Sequence, residues 1–260
     1  MAKHVEFGIV GTGVGANFCA QGFSLISETG IAKLVAVASQ REERAKEFAS
    51  KWGLKLWYTD YEEMLQKAGI DAVMVSTPHH LHHPMVMEAM KLGKHVLVDK
   101  PMAVNLNEAD DMIKEAERRG VKLGVNLQSR FDPTFRKVKD AVDERRFGHL
   151  ILGEAVVEWF RTQEYYDKSP WRGKWATEGG GALINQAIHT IDLLLWIMGP
   201  PKHLYAQIDT VAHEIEVEDL AVATIRFENG ALGVVQGSTA TYPGLPTKLE
   251  IHGTRGMALI

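Results

Sequence analysis

Short apolar runs alternate with longer amphipathic stretches through the first half of the chain. Val5-Glu6-Phe7-Gly8-Ile9-Val10 is almost wholly apolar, as a strand buried on both faces of a parallel sheet requires. It breaks into Gly11-Thr12-Gly13-Val14-Gly15-Ala16, and helix-compatible sequence follows through Ser27. The alternation then predicts strands over 34–38, 72–76, 95–98 and 122–126, and helices over 41–51, 61–67, 84–92 and 106–119. Strands separated by helices in this way are the pattern of βαβ units around a parallel sheet. Residues 1–126 are therefore expected to form a doubly wound α/β domain.

The pattern changes over 127–260. A helix is predicted over 134–146, ending at Gly148, and a Val-, Ile- and Trp-rich strand over 150–160. A glycine-rich entry, Gly179-Gly180-Gly181, opens a long apolar helix that stops at Gly199-Pro200-Pro201. Strands follow over 204–208, 219–228, 231–239 and 248–252, with a turn at Glu228-Asn229-Gly230. These elements predict an α+β domain whose sheet is mostly antiparallel.

The 260 residues suit two domains, and 45% hydrophobic with 24% charged residues is an ordinary globular composition. A net charge of −4 gives no basic face for nucleic acid, and no Lys/Arg run points to a membrane surface. No apolar stretch is read as approaching the ~20 residues that span a bilayer. The single Cys19 permits no internal disulfide, and Met1-Ala2-Lys3-His4 has no signal-peptide pattern, so a cytoplasmic protein is expected.

Candidate chemistry lies at the ends of the predicted strands. Gly11, Gly13 and Ala16 fit G-x-G-x-x-G/A between a strand and a helix. The first glycine allows a tight turn, and the second lets backbone approach a pyrophosphate. The third small residue lets the helix pack close, its positive end towards the phosphates. Gly11 to Ala16 are thus expected to bind a dinucleotide in a Rossmann domain. An NAD site usually places Asp or Glu at the end of the second strand. Here Ser39-Gln40-Arg41 and Arg44 leave that place free of acid, which favours NADP over NAD within an NAD(P) reading. Ser76-Thr77-Pro78 and His82 sit after a buried strand, where a loop would pack beside the nicotinamide ribose. Four histidines, His79, His80, His82 and His83, invite a metal, but no acidic residue joins them and none is expected. Asp99-Lys100-Pro101 ends the next strand, placing an ammonium where it can steady negative charge on a substrate oxygen; an exposed loop lysine is the alternative.

In the second half, Tyr165-Tyr166 and Trp171-Arg172-Gly173-Lys174-Trp175 interleave rings with cations, which suits a sugar or equally a loop pinned by buried aromatics. Arg172 and Lys174 would suit a carboxylate such as a uronic acid, with simple exposure to solvent as the alternative. Asn185, His189 and Asp192 stand at i, i+4 and i+7 of that predicted helix and so are expected on one face, a polar patch in an apolar helix that reads as a site.

Taken together, the chain resembles the Gfo/Idh/MocA family of glucose-fructose oxidoreductases, inositol dehydrogenases and related sugar dehydrogenases. The matching pieces are Gly11 to Ala16, Thr77-Pro78 with His82, Asp99-Lys100-Pro101, Arg130-Phe131-Asp132-Pro133, and Gly179-Gly180-Gly181 with His189 and Asp192. The resemblance implies hydride transfer between the nicotinamide and a sugar or polyol, with Lys100 and His189 in the active site. His189 would accept the hydroxyl proton and Lys100 stabilise the oxygen or act as the base itself. Asn185 would orient a neighbouring hydroxyl, and Asn126, Arg130, Tyr165, Trp171 and Arg172 would line the substrate site. It also implies a homodimer or homotetramer through the C-terminal sheet, making 127–260 a substrate-binding and oligomerisation domain.

Three departures stand out. Asp99 replaces the usual Glu, and Asn185 stands where many members carry Asp. The chain is also short for the family and stops within a predicted hairpin, implying a further C-terminal part of the sheet. Two other readings stay open: a regulator that binds dinucleotide without chemistry, and a redox-neutral glycosidase with tightly held NAD. A phosphorylating aldehyde dehydrogenase would need Cys19, in the first helix, as its nucleophile.

Overall fold

In the computed structural model, which describes residues 4–260, the N-terminal apolar run becomes β1 (Val5–Val10) inside a six-stranded parallel sheet. The other strands are β2 (Ala32–Ala38), β3 (Leu56–Tyr58), β4 (Ala72–Val75), β5 (His95–Asp99) and β6 (Leu123–Asn126). They lie in the order β3-β2-β1-β4-β5-β6. The order reverses between β1 and β4, and ligands of open α/β sheets bind outside the carboxyl ends of strands at such a switch point.

Helices α1 (Val14–Ile26), α2 (Glu42–Trp52), α3 (Tyr61–Lys67), α4 (His82–Lys91) and α5 (Leu106–Arg119) connect the strands. Local chemistry sets their ends. Asp60 and Asn105 cap α3 and α5 through the amides of Glu62 and Glu108, and left-handed Gly53 and Gly120 end α2 and α5. The sheet is covered on both faces. Ile9, Val37 and Met74 pack with Ala16 and Phe48 on one side, while Val73, Val75 and Val98 pack with Met64, Val86 and Met112 on the other. Strand β3 has no counterpart in the sequence reading. Three residues are too few to show a period, and the strand is recognised by its pairing with β2.

The chain divides between Asn126 and Leu127 into two units. The second contains α6 (Pro133–Asp143), β7 (Leu150–Glu158), α7 (Gln163–Asp167) and α8 (Trp175–Glu178), then a π turn over Ala182–Ala187 leading into α9 (Ile188–Met198). Strands β8 (Pro201–Asp209), β9 (Leu220–Phe227), β10 (Leu232–Ser238), β11 (Lys248–Gly253) and β12 (Met257–Leu259) follow. The sheet order is β12-β11-β7-β10-β9-β8, antiparallel except for the parallel β7–β10 pair.

Leu193, Leu194, Ile197 and Met198 of α9 bury against Ala155, Ile225, Phe227, Val235, Leu249 and Ile251 on one sheet face. Gly153 makes this close approach possible, since a Cβ there would meet Leu194 at 2.7 Å. By length and composition Trp175–Met198 is apolar enough to cross a membrane, which the sequence reading missed. The burial of α9 on its own sheet accounts for that apolar content.

Candidate active site

The first unit brings three loops to one edge of its sheet, because β1, β4 and β5 are parallel neighbours. Gly11 has a φ of +109°, and a Cβ on it would sit 2.1 Å from the carbonyl oxygen of Ser76, so only glycine fits there. Gly13 is the N-cap of α1 and a Cβ there would meet nothing within 4 Å. No side chain caps α1 and no acid stands in its first turn. The first-turn amides thus face an open approach, and a pyrophosphate fits this loop by charge and by shape. Ala16 is fully buried against the strands, whereas Gly15 is pressed on β5, where a Cβ would lie 2.4 Å from Asp99 Oδ2.

Ser39 is half-buried beyond β2, and Gln40, Arg41 and Arg44 are exposed. Arg44 and Lys51 flank an open depression of about 240 Å³ shared with Thr12, Asn17, Glu47 and Phe48. Lys51 escaped the sequence reading, although it lies seven residues after Arg44 on the same helix. Its Nζ donates to Asn17 Oδ1 at 2.7 Å, and Asn17 Nδ2 donates to the Gly13 carbonyl at 2.9 Å.

The Asp99 carboxylate is used internally. It accepts from Ser76 Oγ at 2.9 Å, from the Lys100 amide at 3.0 Å and from Asn126 Nδ2 at 3.5 Å. Asp99 and Asn126, expected to touch ligands, instead tie together the ends of β4, β5 and β6. Lys100 itself is half-buried at the carboxyl end of β5, joined to Pro101 by a cis peptide.

His82 also departs from the expectation of cofactor contact. It is 1% exposed, with Nδ1 on the Pro101 carbonyl at 2.8 Å and Nε2 on the Thr77 carbonyl at 2.9 Å, clasping two active-edge loops together. Burial pushes its pKa down, against the pull of both carbonyls and Asp99. Cys19, beside Asn126 at 3.6 Å, has its thiol pushed up to about 12 by burial and by the Asp99 charge, which leaves no nucleophilic thiolate. Among the described residues no three His, Cys, Asp or Glu side chains gather to hold a metal.

In the second unit the helix carrying His189 differs from the regular one expected. The π turn widens the winding over Ala182–Ala187 and shifts Asn185 from the position a regular helix would give it, whereas His189 and Asp192 stand at i and i+3 on α9. Asn185 is buried, and its Nδ2 donates to Glu178 Oε1 at 2.5 Å. Asp192 accepts a two-pronged contact from Arg130, Nε at 2.7 Å and Nη2 at 2.5 Å. Arg130, read as a substrate contact, makes an ion pair that joins the segment before α6 to α9. His189 is half-buried as the second residue of α9.

Tyr165, Trp171 and Arg172 do come together. The Arg172 guanidinium lies 4.4 Å from the Tyr165 ring and 4.5 Å from the Trp171 ring, and donates to the Tyr165 hydroxyl. Gln186 Nε2 donates to the same hydroxyl at 2.8 Å. Arg172 and Lys174 also line an open cavity of about 480 Å³ with Asp167, Glu214 and Glu216. Two buried carboxylates, Glu178 and Glu218, went unread in the sequence. Glu218 accepts from the amides of Gly181 at 2.8 Å and Leu183 at 3.0 Å, capping the π turn. An acid next to the glycine run was the only available signal.

Residues 5–127 match the model of an oxidoreductase family with an NAD-binding Rossmann fold, and residues 135–259 match that of the GFO/IDH/MocA C-terminal domain. Among curated relatives, myo-inositol 2-dehydrogenase of Thermotoga maritima is 29% identical over 97% of this chain and 74% of its own length. Trans-1,2-dihydrobenzene-1,2-diol dehydrogenase of Mus musculus is 30% identical over 98% of this chain and 74% of its own. Among solved structures, the WlbA dehydrogenase of Bordetella pertussis, in complex with NADH and UDP-GlcNAcA, superposes with a TM-score of 0.93. It is 34% identical over 99% of this chain and 78% of its own.

Proposed function

The chain belongs to the Gfo/Idh/MocA oxidoreductase family, and we propose that it moves a hydride between a nicotinamide dinucleotide and a secondary alcohol of a sugar derivative, most specifically a uronic-acid sugar. The observation that carries the reading is the edge of the first sheet. There the phosphate loop, the Ser76-Thr77 loop and Lys100 end three adjacent strands. The uronic-acid assignment draws support from Arg172, stacked between two rings, and from the UDP-GlcNAcA held by the Bordetella WlbA structure.

When bound, the nicotinamide supplies the hydride acceptor. The chain's residues do the rest. His189 takes the hydroxyl proton, and the Lys100 ammonium stabilises the oxygen as it gains negative charge. Ser39, Arg41 and Arg44 favour a 2′-phosphate, hence NADP, because no acid at the end of β2 repels it. A cytoplasmic homodimer or homotetramer, joined through the second sheet, completes the proposal.

The test follows nicotinamide absorbance with NAD and NADP against inositols, aldoses, uronic acids and UDP-N-acetylglucosaminuronic acid. Turnover is expected with an anionic sugar. Lys100→Ala and His189→Ala should each lower kcat by about 10²- to 10⁴-fold while dinucleotide binding holds. Wild-type rates in both variants would remove these two residues from the chemistry.

A further inference from the structure

Glu178 ends α8 with 1% of its surface exposed, and the proton and hydride transfers do not use it. Its Oε1 accepts from Asn185 Nδ2 and its Oε2 from the Gly173 amide, each at 2.5 Å. Arg172 Nη1 stands 3.9 Å from Oε1. One carboxylate therefore joins the π turn that runs into His189 to the ring-stacked guanidinium of Arg172. The charged groups that bear on it are Arg172 and Glu218. Burial pushes the Glu178 pKa up, only partly offset by the Gly173 and Asn185 hydrogen bonds and by Arg172.

This contact also accounts for the amide at position 185. An aspartate there would set two carboxylates at the 2.5 Å now spanned by a hydrogen bond, and one of them would have to take up a proton. Resting on the proposed dehydrogenase reading, we propose that Glu178 is a positioning residue for hydride transfer. It carries the negative charge that residue 185 lacks, and it holds Asn185 and Arg172 in a single geometry with respect to the substrate.

The hydrogen bonds prescribe the test. In Glu178→Gln, one amide must face both the Gly173 N–H and the Asn185 NH₂, so one contact becomes donor against donor unless Asn185 turns its amide over and leaves its present geometry. In Asn185→Asp, two carboxylates collide. Combining Glu178→Gln with Asn185→Asp restores both hydrogen bonds, with the negative charge moved from position 178 to position 185 and the pairing with Arg172 at position 178 given up. The side-chain amide now at position 178 accepts from Gly173 with its oxygen and donates with its nitrogen to the carboxylate now at position 185. The four proteins are compared for kcat, KM and pH profile with UDP-N-acetylglucosaminuronic acid and the preferred dinucleotide, with thermal melting alongside.

Each single variant should lose about 10- to 100-fold in kcat/KM, the scale on which misplaced groups slow enzymes. The double variant should recover most of that loss. The acidic limb of its kcat/KM profile should move to higher pH, because the charge now sits in the turn that leads directly into His189, and a negative charge brought nearer raises the pKa of the base. Single variants that melt lower yet keep wild-type kinetics and pH profile would reduce Glu178 to a structural buttress and overturn the proposal. A folded double variant with no recovery would do the same. A wild type silent on the whole sugar panel takes down the substrate reading and this inference with it, whereas an active wild type beside an unaltered Glu178→Gln takes down this inference alone.

Discussion

Asp219 shows how a single side chain organises the loop between β8 and β9. Fully buried, it accepts from the amides of Val211, Ala212 and His213 and from His213 Nδ1, all between 2.8 and 3.0 Å. Burial by itself would raise its pKa, but these donors outweigh it and the net shift is downward. With a folded pKa below the unfolded value of 3.8, the stabilisation is complete above that pH and is lost as pH falls through the folded pKa. Asp219→Asn should therefore cost roughly 2–4 kcal/mol in urea unfolding at neutral pH and progressively less as pH falls below 3.8 towards the folded pKa, flattening the acid limb. A loss that stays constant across the acid limb would show that the charge is not the agent. None of this was legible in Glu216-Val217-Glu218-Asp219, since the partners are mainly backbone amides that no residue pattern announces. Lys100 could be read because a strand's end locates it. The internal partners of Asn185 and Arg130, Glu178 and Asp192, could not be read because they are set by tertiary contact.

At the level of elements, the parallel sheet was legible because buried strands such as Ala72–Val75 are apolar throughout and the helices between them keep their period. The π turn was not. One extra residue per turn alters neither composition nor hydrophobic spacing enough to register. Its cause lies in its anchors, with Gly181 lying directly against Glu218. A Cβ at Gly181 would come 1.9 Å from the Glu218 carbonyl oxygen and 2.9 Å from Val217 Cγ2. Gly181→Ala must displace that backbone and the turn it caps. Overpacking of this kind costs about 1–3 kcal/mol, so the variant should melt several degrees lower. Sugar turnover should fall as well, while dinucleotide binding, measured by fluorescence titration, should hold because the phosphate loop belongs to the other folding unit. An unchanged melting temperature would mean that the turn tolerates the methyl and that its geometry is not set by this contact.

For the molecule as a whole, the second sheet poses the remaining question, because α9 covers only one of its faces. The residues pointing the other way include Leu220, Val222 and Leu232, which are 36%, 46% and 47% exposed, beside Tyr205 at 67%. They alternate across the strands with Gln207, Thr224, Arg226 and Gln236, a mixed apolar and polar face of the kind that association buries, and a second copy of the same face covers it by two-fold symmetry. The ion-paired Lys248, Glu154, Glu250 and His252 at the β7–β11 side give that surface a polar border. Val222→Glu would place a carboxylate, and its symmetry mate, between Gln207 and Gln236 on this face, where desolvation and mutual repulsion both oppose association. Sedimentation should then show the wild type at two or four chains and the variant at one, with the variant's dinucleotide affinity unchanged. A wild type sedimenting as a single chain at micromolar concentration would leave this face without its proposed partner.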